Sequence, residues 1–467
     1  MLFYTRRWKI IVVYCLVLTL LAGCTSGDKG ELPPLPEDGS GTIRILFGDE
    51  QQFMNEYGNT FNVKYPEIKF EIVSTKELYD SLGPDDDYYE NYINFVKKKK
   101  LDVVMLPQSD YEHFSSVGAL YPIESLIKAE KYPIDDFHPG VIDLLRELGG
   151  NSLNGLAVQF DSSALFYNVD LFKEYGVELP RHKMSVQEML QLADRFNSKS
   201  EAEKDRVYGF HSEYMAPTQM LFSLAEMSNL QFVDATAEKI VMDSEAWKSI
   251  FVSYAELVKE GKTNLIKPTS DMRPGQGFAQ GKAAMTIGSL FMIEQIQNPH
   301  RYGQDENQKK KAFEWGMVTV PIDPANPDES SMIQLSSIFA ITKDSINKRA
   351  AWEFVKFSAG PELARIHSRN VNKLTTRTKY QHEIAGKSTE AFTLLKPGSN
   401  ARALYRTFYK NNVSDEFYAS FQNKLNESIM AVADGKKSPE QAYEQLLPEL
   451  QKDLDIDRQK REDKKAK

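Results

Sequence analysis

The chain has 467 residues, of which 41% are hydrophobic and 11% aromatic, and its formal net charge is −9. Its length exceeds what one hydrophobic core usually supports, so we expect two domains. The acidic balance argues against a nucleic-acid partner, because binding phosphate groups requires a basic face.

The first residues have the pattern of an export signal. Basic residues between positions 6 and 9 precede an apolar run over 10–22. That run is shorter than the roughly 20 residues needed to cross a bilayer core, so it predicts a cleaved signal rather than an anchoring helix. No later segment of the sequence approaches a spanning length of apolar residues.

The two cysteines, Cys15 and Cys24, bear on the cellular location. The stretch LAGC at 21–24 resembles a bacterial lipobox, which implies that 1–23 is a lipoprotein signal peptide and that Cys24 receives a diacylglycerol thioether. In the alternative, an ordinary secretory signal, Cys24 merely follows the cleavage point. Loss of Cys15 with the signal leaves no pair for a disulfide or a thiolate metal site. Acyl chains would anchor the protein on the extracytoplasmic face of the cell membrane.

The first elements after the signal alternate between strand and helix. Residues 24–40 are polar and rich in proline and glycine, which predicts a flexible tether. A strand over 42–48 is followed by a helix that ends before Pro66, and a second strand covers 67–73.

The next helix ends in the lysine run Lys97–Lys100, which we interpret as a solvated helix end rather than a ligand site, because cations complement a helix C-terminus. The apolar run over 101–107 is typical of a strand buried on both faces. Strands alternating with helices predict a parallel, doubly wound α/β sheet.

Helices dominate from Leu171 to about Lys259, and one of them begins with the capping box of Ser185 and Glu188. Short strands follow. Further helices are expected to break before Pro361 and at Gly435, and the charged residues after 455 are expected to form a solvated end.

Several segments, in order over residues 41–370, resemble an extracellular solute-binding protein of family 1, the carbohydrate type that serves ABC importers. These segments are LDVVMLPQSD with VGALYPIESLI, GLAVQFDSSALFYNVDLFKEYGVELP, SVQEMLQLA, FAQGKAAMTIGSLFMIEQI and AAWEFVKFSAGPELA.

The resemblance implies a periplasmic-binding-protein-like α/β fold. Two doubly wound lobes would be joined by several crossover strands, with a ligand cleft between them. The expected boundaries are 41–162 with 313–343 for the N-terminal lobe, 163–312 with 344–455 for the C-terminal lobe, and 456–467 for a charged tail.

Ligands of open α/β sheets bind beyond the carboxyl ends of strands, so loops after strands supply the candidate residues. Asp49 and Glu50 follow the first strand, and Gln108 and Ser109 follow the third. Both pairs equally suit plain helix caps. Asp161 matches a carboxylate that contacts sugar in the maltodextrin-binding branch, with a structural hinge acid as the alternative.

Three more candidates come from the resemblance. Phe291 matches a tryptophan position of the same branch, where an aromatic face packs on the C–H face of a sugar ring, although a core residue at a helix start is the alternative. Tyr214 matches another contact position, and Ser336 precedes the last inter-lobe strand. Leu106 replaces a stacking tryptophan, so we do not expect a maltodextrin ligand. Trp352 has helical spacing typical of the core.

The predicted function is capture of a small solute, most often a mono- or oligosaccharide in this family, by lobe closure around it and its delivery to ABC permease subunits. We expect a monomer without cofactor, metal or nucleic acid. A ligand sensor of the same fold is one alternative and a lipid-anchored enzyme another. For the enzyme, Gly281-Lys282 fails as a phosphate loop, because Gln276 and Ala283 replace the required glycine and hydroxyl.

Overall fold

The computed structural model describes residues 32–83, 87–196, 206–211, 215–263, 277–298, 313–370, 372–381, 383–398 and 403–465. The predicted signal peptide, Cys24 and Tyr214 lie outside the described residues. Among the helices that are described, none is both long enough and apolar enough to span a bilayer.

The strands are β1 (Gly41–Phe47), β2 (Ile68–Ser74), β3 (Val103–Leu106), β4 (Gly155–Asp161), β5 (Ala164–Asn168), β6 (Tyr208–Phe210), β7 (Ala283–Gly288), β8 (Trp315–Thr319), β9 (Glu329–Ser330), β10 (Gln334–Ile341), β11 (Leu374–Thr375), β12 (Glu383–Ile384), β13 (Lys387–Ser388) and β14 (Lys396–Pro397).

The helices of the first half are α1 (Glu50–Phe53, π-helical Met54–Gly58 and Asn59–Lys64), α2 (Thr75–Asp80), α3 (Tyr88–Lys99), α4 (Gln108–Ser116), α5 (Glu124–Glu130), α6 (Val141–Leu148), α7 (Val169–Tyr175), α8 (Val186–Asp194) and α9 (Pro217–Met227). Those of the second half are α10 (Glu245–Lys259), α11 (Phe291–Gln297), α12 (Lys348–Ser358), α13 (Pro361–His367), α14 (Glu390–Thr393), α15 (Ala403–Lys410), α16 (Asp415–Ala433) and α17 (Pro439–Lys465).

Two main sheets carry this α/β fold. One has six strands in the order β11-β4-β10-β3-β1-β2, and the other has four in the order β6-β7-β5-β8. β1 runs parallel to β2 and β3, as predicted. The sheets are nevertheless mixed, because β5 runs antiparallel to β7 and β8. The strand–helix alternation behind the parallel expectation is broken here, since β4 and β5 follow each other without a crossover helix.

The chain divides into two compact units. The first unit holds the described residues up to Asp135 together with Leu145–Leu156 and Phe339–Gly360, and the second holds the remainder. The chain therefore crosses between the units five times, inside β4 and β10 and also at 135/136, 144/145 and 360/361. The lobe boundaries expected from the resemblance stay a prediction.

The backbone of β10 is unusual just before the return. Ser337 has a φ of 53°, the left-handed region that costs a residue with a Cβ about 1–2 kcal/mol. The chain enters the first unit two residues later, at Phe339.

An aromatic cluster fills the core of the first unit around Phe354, which is completely buried on α12. Its ring centroid lies 5.2–5.7 Å from those of Phe53, Phe61, Phe70 and Phe339. Edge-to-face packing of this kind adds about 0.5–1.5 kcal/mol per pair to the burial of the rings themselves. The cluster thus holds α12, which comes late in the chain, against α1 and β2 near its start.

A buried carboxylate, Asp102, makes the polar counterpart of this contact. Its oxygens accept hydrogen bonds from the Arg44 amide at 2.9 Å, the Ser345 hydroxyl at 2.6 Å and the Asn347 side-chain amide at 3.1 Å. Its own carbonyl accepts from the Thr342 amide at 2.9 Å. Because one partner comes from β1 and three from residues 342–347, Asp102 fastens the returning chain to the first strand.

Trp247 is the centre of the second unit's helical core. It is 1% exposed on α10, and its indole N–H donates to the Gln231 carbonyl at 2.8 Å. Phe232 packs edge-on against its ring at 4.6 Å, and Phe421 of α16 packs on Phe232 at 5.8 Å. The aromatic contacts bind α10 to the C-terminal helices.

Several local predictions are confirmed. Ser185 and Glu188 form the complete capping box at the start of α8. The helices break before Pro361 and between α16 and α17, where Gly435 adopts a φ of 70°. Trp352 is fully buried, as its helical spacing indicated.

The charged end forms the last turns of a long helix, and most of its described side chains are exposed, but one is buried. α17 continues to Lys465, and Asp457 is 3% exposed. The Asp457 carboxylate accepts from the Ser414 amide and hydroxyl and from Arg461. Arg461 also donates to the carbonyls of Asn411 and Ala237. Asp457 and Arg461 therefore fasten this part of α17 to the rest of the second unit.

We expect Asp457→Ala to lower the free energy of unfolding by about 3 kcal/mol, because it leaves the half-buried Arg461 guanidinium without its carboxylate. Urea denaturation followed by circular dichroism measures this. Asp455→Ala on the same helix is the control, since its carboxylate is half exposed and its ion pair with Arg458 contributes less than about 1 kcal/mol. Equal effects of the two substitutions would contradict the docking role.

Candidate functional site

Three parallel strands of the first unit end at one edge of the sheet. Asp49 and Glu50 follow β1, and Gln108 and Ser109 follow β3, which is the neighbour of β1. The four candidate residues of this unit therefore come from adjacent strand ends, as parallel topology requires. Asp49 also caps α1, where its carboxylate accepts from the Gln52 amide at 2.8 Å.

The end of β2 belongs to the same edge. The Ser74 hydroxyl donates to the Gly48 carbonyl at 2.9 Å and accepts from the Lys76 amide at 3.2 Å. This bond ties the loop that carries Asp49 to the loop after β2. Asp49 and Glu50 are both exposed, so their carboxylates are available to a ligand's hydroxyl groups.

A buried carboxyl group lies beside Ser109. Asp110 is 6% exposed and accepts from the Ser109 hydroxyl and the Tyr88 hydroxyl, each at 3.1 Å. Burial raises the pKa of Asp110 above its ordinary value, although the two hydroxyl donors partly oppose that shift. The arrangement fixes the first turn of α4, from which Gln108 and Ser109 project.

Two tyrosines adjoin this turn, and the sequence analysis did not select them. Tyr88 is bonded to Asp110, and Tyr89 stacks on His113 of α4 with ring centroids 4.0 Å apart and planes 16° apart. Both begin α3. The sequence feature that could have selected them is the adjacent pair of tyrosines at the start of a helix. Leu106, which stands at the position that the sequence comparison assigned to a stacking tryptophan, is fully buried.

Asp161 and Phe291 occupy one edge of the second unit's strands. β5 begins at Ala164, which pairs with Gly288 at the end of β7. Asp161 lies three residues before this pair and Phe291 three residues after it. Asp161 is exposed, and the Phe291 side chain is 41% exposed although it begins α11. This exposure fits a ligand-facing aromatic better than the core alternative.

Gly288 permits the close start of α11. A Cβ at this position would lie 2.9 Å from the Met292 Cβ, a separation that real side chains do not adopt. The glycine therefore lets the helix that carries Phe291 begin directly after the strand.

Ser336 is half-buried on β10, the strand hydrogen-bonded to β4. The left-handed Ser337 follows it and interrupts the regular alternation of side chains. A serine thus adopts the backbone conformation that glycine usually supplies.

His211, at the end of β6, is a further buried polar residue that the sequence analysis did not select. Its amide donates to the Met285 carbonyl, and its carbonyl accepts from the Thr286 hydroxyl. Burial lowers the pKa of its imidazole to about 4, so the ring is neutral at physiological pH.

The candidates therefore form two sets, one in each unit. The first unit contains Asp49, Glu50, Gln108 and Ser109, and the second contains Asp161, Phe291 and Ser336. Tyr214 lies outside the described residues, and the ligand role of all of these residues stays a prediction. Within the described part of the chain, no group of histidine, cysteine and acidic side chains is arranged to hold a metal ion.

Comparison with known protein families identifies the family of this α/β chain. The model of the bacterial extracellular solute-binding proteins matches residues 47–365, and the chain belongs to this family. The family was named correctly from the sequence segments.

Individual relatives are distant. YcjN of Escherichia coli, provisionally assigned as an ABC transporter periplasmic-binding protein, is 24% identical over 187 residues, which are 39% of this chain and 41% of that protein. The chain thus matches about two fifths of the length of this relative.

Two solved structures share the fold. The sugar-binding protein MalE of Xanthomonas citri is 16% identical with a TM-score of 0.60, covering 90% of this chain and 98% of its own. A sugar transporter protein of Rhizobium etli, in an open conformation, is 18% identical with a TM-score of 0.58, covering 90% and 99%.

We expect Tyr88→Phe to destabilise the protein by about 1 kcal/mol at neutral pH, because the buried Asp110 carboxylate loses a donor. The lost donor favours the ionised form, so its removal raises the pKa of Asp110 further. The destabilisation is therefore present above that pKa and shrinks as the pH falls below it. Urea denaturation at neutral and acidic pH measures the difference. Tyr79→Phe, at a 59% exposed tyrosine, is the control and should show neither effect.

Proposed function

We propose that this protein is a solute receptor of an ABC importer, anchored by lipid at Cys24 on the extracytoplasmic face of the cell membrane. It binds a small solute, releases it unchanged to the permease, and carries out no covalent chemistry. The observation that carries this proposal is the pair of strand-end residue sets in a chain of this family. Family membership supports the transport role, and the lipobox pattern supports the anchor.

A carbohydrate is the solute class that the candidate residues suit best. Carboxylate and amide groups at Asp49, Gln108 and Asp161 accept from and donate to hydroxyl groups, and the exposed ring of Phe291 offers an apolar face to C–H groups of a pyranose. The names of both fold neighbours, a sugar-binding protein and a sugar transporter, agree with this class.

The binding mechanism is a population shift. Open and closed forms exchange, and the solute favours the closed form because only there does it contact both residue sets. β4 and β10, the strands in which the chain passes between the units, supply the hinge. The closed form is the one that the permease accepts.

A thermal-shift screen of the purified protein against mono- and oligosaccharides, amino acids and peptides identifies the solute class. A ligand that binds only the folded chain raises the melting temperature by mass action. We expect shifts from one group of saccharides. Shifts from amino acids or peptides alone would remove the carbohydrate assignment and leave the receptor role intact.

Calorimetry with the saccharide found in the screen then tests the site. We expect Asp161→Ala and Phe291→Ala each to weaken binding roughly tenfold, which corresponds to about 1.4 kcal/mol, with no change in the melting temperature of the free protein. Glu178→Ala and Leu179→Ala, at exposed positions of the second unit, are the matched controls. Unchanged affinity in both site variants would mean that the site is misplaced.

A further inference from the structure

The lysine run and the start of the fold lie at the same edge of the first unit's sheet. α3 ends at Lys99, Lys100 caps it with a φ of 52°, and β3 begins three residues later at Val103. β1 runs parallel to β3, with Ile45 opposite Val103. The chain therefore enters β1, at Gly41, from the edge that carries the lysines. Gln108 follows the opposite end of β3.

Within the described part of the chain, the four lysines differ in their partners. Lys99 pairs with Glu77 at 2.5 Å. Lys97, Lys98 and Lys100 are exposed, and among the described residues none of the three has a carboxylate partner.

A crevice of about 560 Å³ opens between these lysines and the loop after β10. Lys343 borders it from that loop, and Asp344 is the exposed acid there. Asp102, also at this crevice, is buried and its carboxylate accepts hydrogen bonds from Arg44, Ser345 and Asn347; it forms no ion pair with the lysines among the described residues.

Bare aliphatic side chains border the same crevice. Ile346 is 91% exposed and Val117 is 54% exposed, whereas Phe114, Val96 and Leu101 form buried apolar walls. Cations beside exposed aliphatic groups are the chemistry of a surface that meets anionic lipid headgroups and the boundary of the acyl chains.

We infer that this edge, which we call the lysine face (Lys97, Lys98, Lys100, Lys343, Val117 and Ile346), docks on an anionic phospholipid bilayer. The inference depends on the proposed anchor at Cys24. The predicted tether over 24–40 leads into β1 at this edge, so 16 residues separate the proposed anchor Cys24 from Gly41. It therefore keeps the lysine face near the headgroups, where the lysines add their electrostatic attraction to the anchoring by the two acyl chains of the proposed diacylglycerol thioether. The candidate ligand residues of the first unit are left at the far edge.

The test uses the full chain, expressed and processed in a bacterium, with Ile346→Cys carrying an environment-sensitive fluorophore. Vesicles contain equal parts phosphatidylglycerol and phosphatidylcholine, or phosphatidylcholine alone. We expect a blue shift of the emission with the anionic vesicles only, and its loss in high salt, which screens exposed charges. A label at Leu179→Cys in the second unit is the control and should not shift.

Charge removal makes the test specific. A variant with Gln at the four lysines of the lysine face should bind anionic vesicles roughly 600-fold more weakly, since each lysine contributes about fivefold and the four contributions multiply. The matched control should bind like the parent protein. It carries Gln at four lysines of the second unit, namely Lys410, Lys436, Lys437 and Lys452.

The outcomes separate this inference from the proposed anchor. The mass of the N-terminal peptide reports acylation at Cys24, which tests the anchor alone. If the protein is acylated but the emission of the label at position 346 does not shift on anionic vesicles, the docking inference is wrong. If the peptide is not acylated, the proposed anchor is wrong. Docking is then tested by flotation of the protein with anionic vesicles at low salt. Equal binding of the parent and the lysine-face variant would overturn the docking inference.

Discussion

The fold depends on one requirement, that a chain which leaves the first unit must be fastened when it returns. The carboxylate of Asp102 makes this attachment. It binds the backbone of β1 on one side and the side chains of Ser345 and Asn347 on the other. Such a buried acid is stable only when its acceptors are satisfied, because desolvation otherwise costs several kcal/mol. The aromatic cluster around Phe354 adds the apolar part of the same attachment.

The attachment also separates the two ends of β3. Asp102 precedes the strand and serves structure, whereas Gln108 and Ser109, the candidate ligand residues, follow it. A strand of four residues, Val103–Leu106, thus separates the structural carboxylate from the candidate ligand residues. In the second unit, Asp161 and Phe291 are positioned by strand register instead, through the pairing of Ala164 with Gly288.

Patterns that depend on near neighbours in the sequence were readable from it. The capping box of α8, the break before Pro361 and the buried strand β3 follow from local hydrogen bonding and side-chain periodicity. The family was readable as well, because its segments keep their order. Contacts between distant residues were not readable. The bond between Ser414 and Asp457 joins positions 43 apart, so the burial of Asp457 within a charged sequence could not be inferred.

The site shows the same limit. Topology placed Asp49 and Gln108 on neighbouring strand ends, since parallel strands end together. The tyrosines of α3 escaped notice because their place beside Asp110 is set by the packing of α3 on α4, and nothing local to Tyr88 specifies that partner. The exposure of Phe291 could not be inferred either, because an apolar residue at a helix start is equally common in a core.

The interleaving of the two units has a genetic consequence. Each unit is assembled from separate stretches of the chain, so no uninterrupted piece of the gene encodes either one. Exchange of one complete unit by transfer of a single contiguous gene segment is therefore not possible for this protein. An engineer who wanted the first unit alone would have to rewire the coding order and bridge the cut ends with artificial linkers.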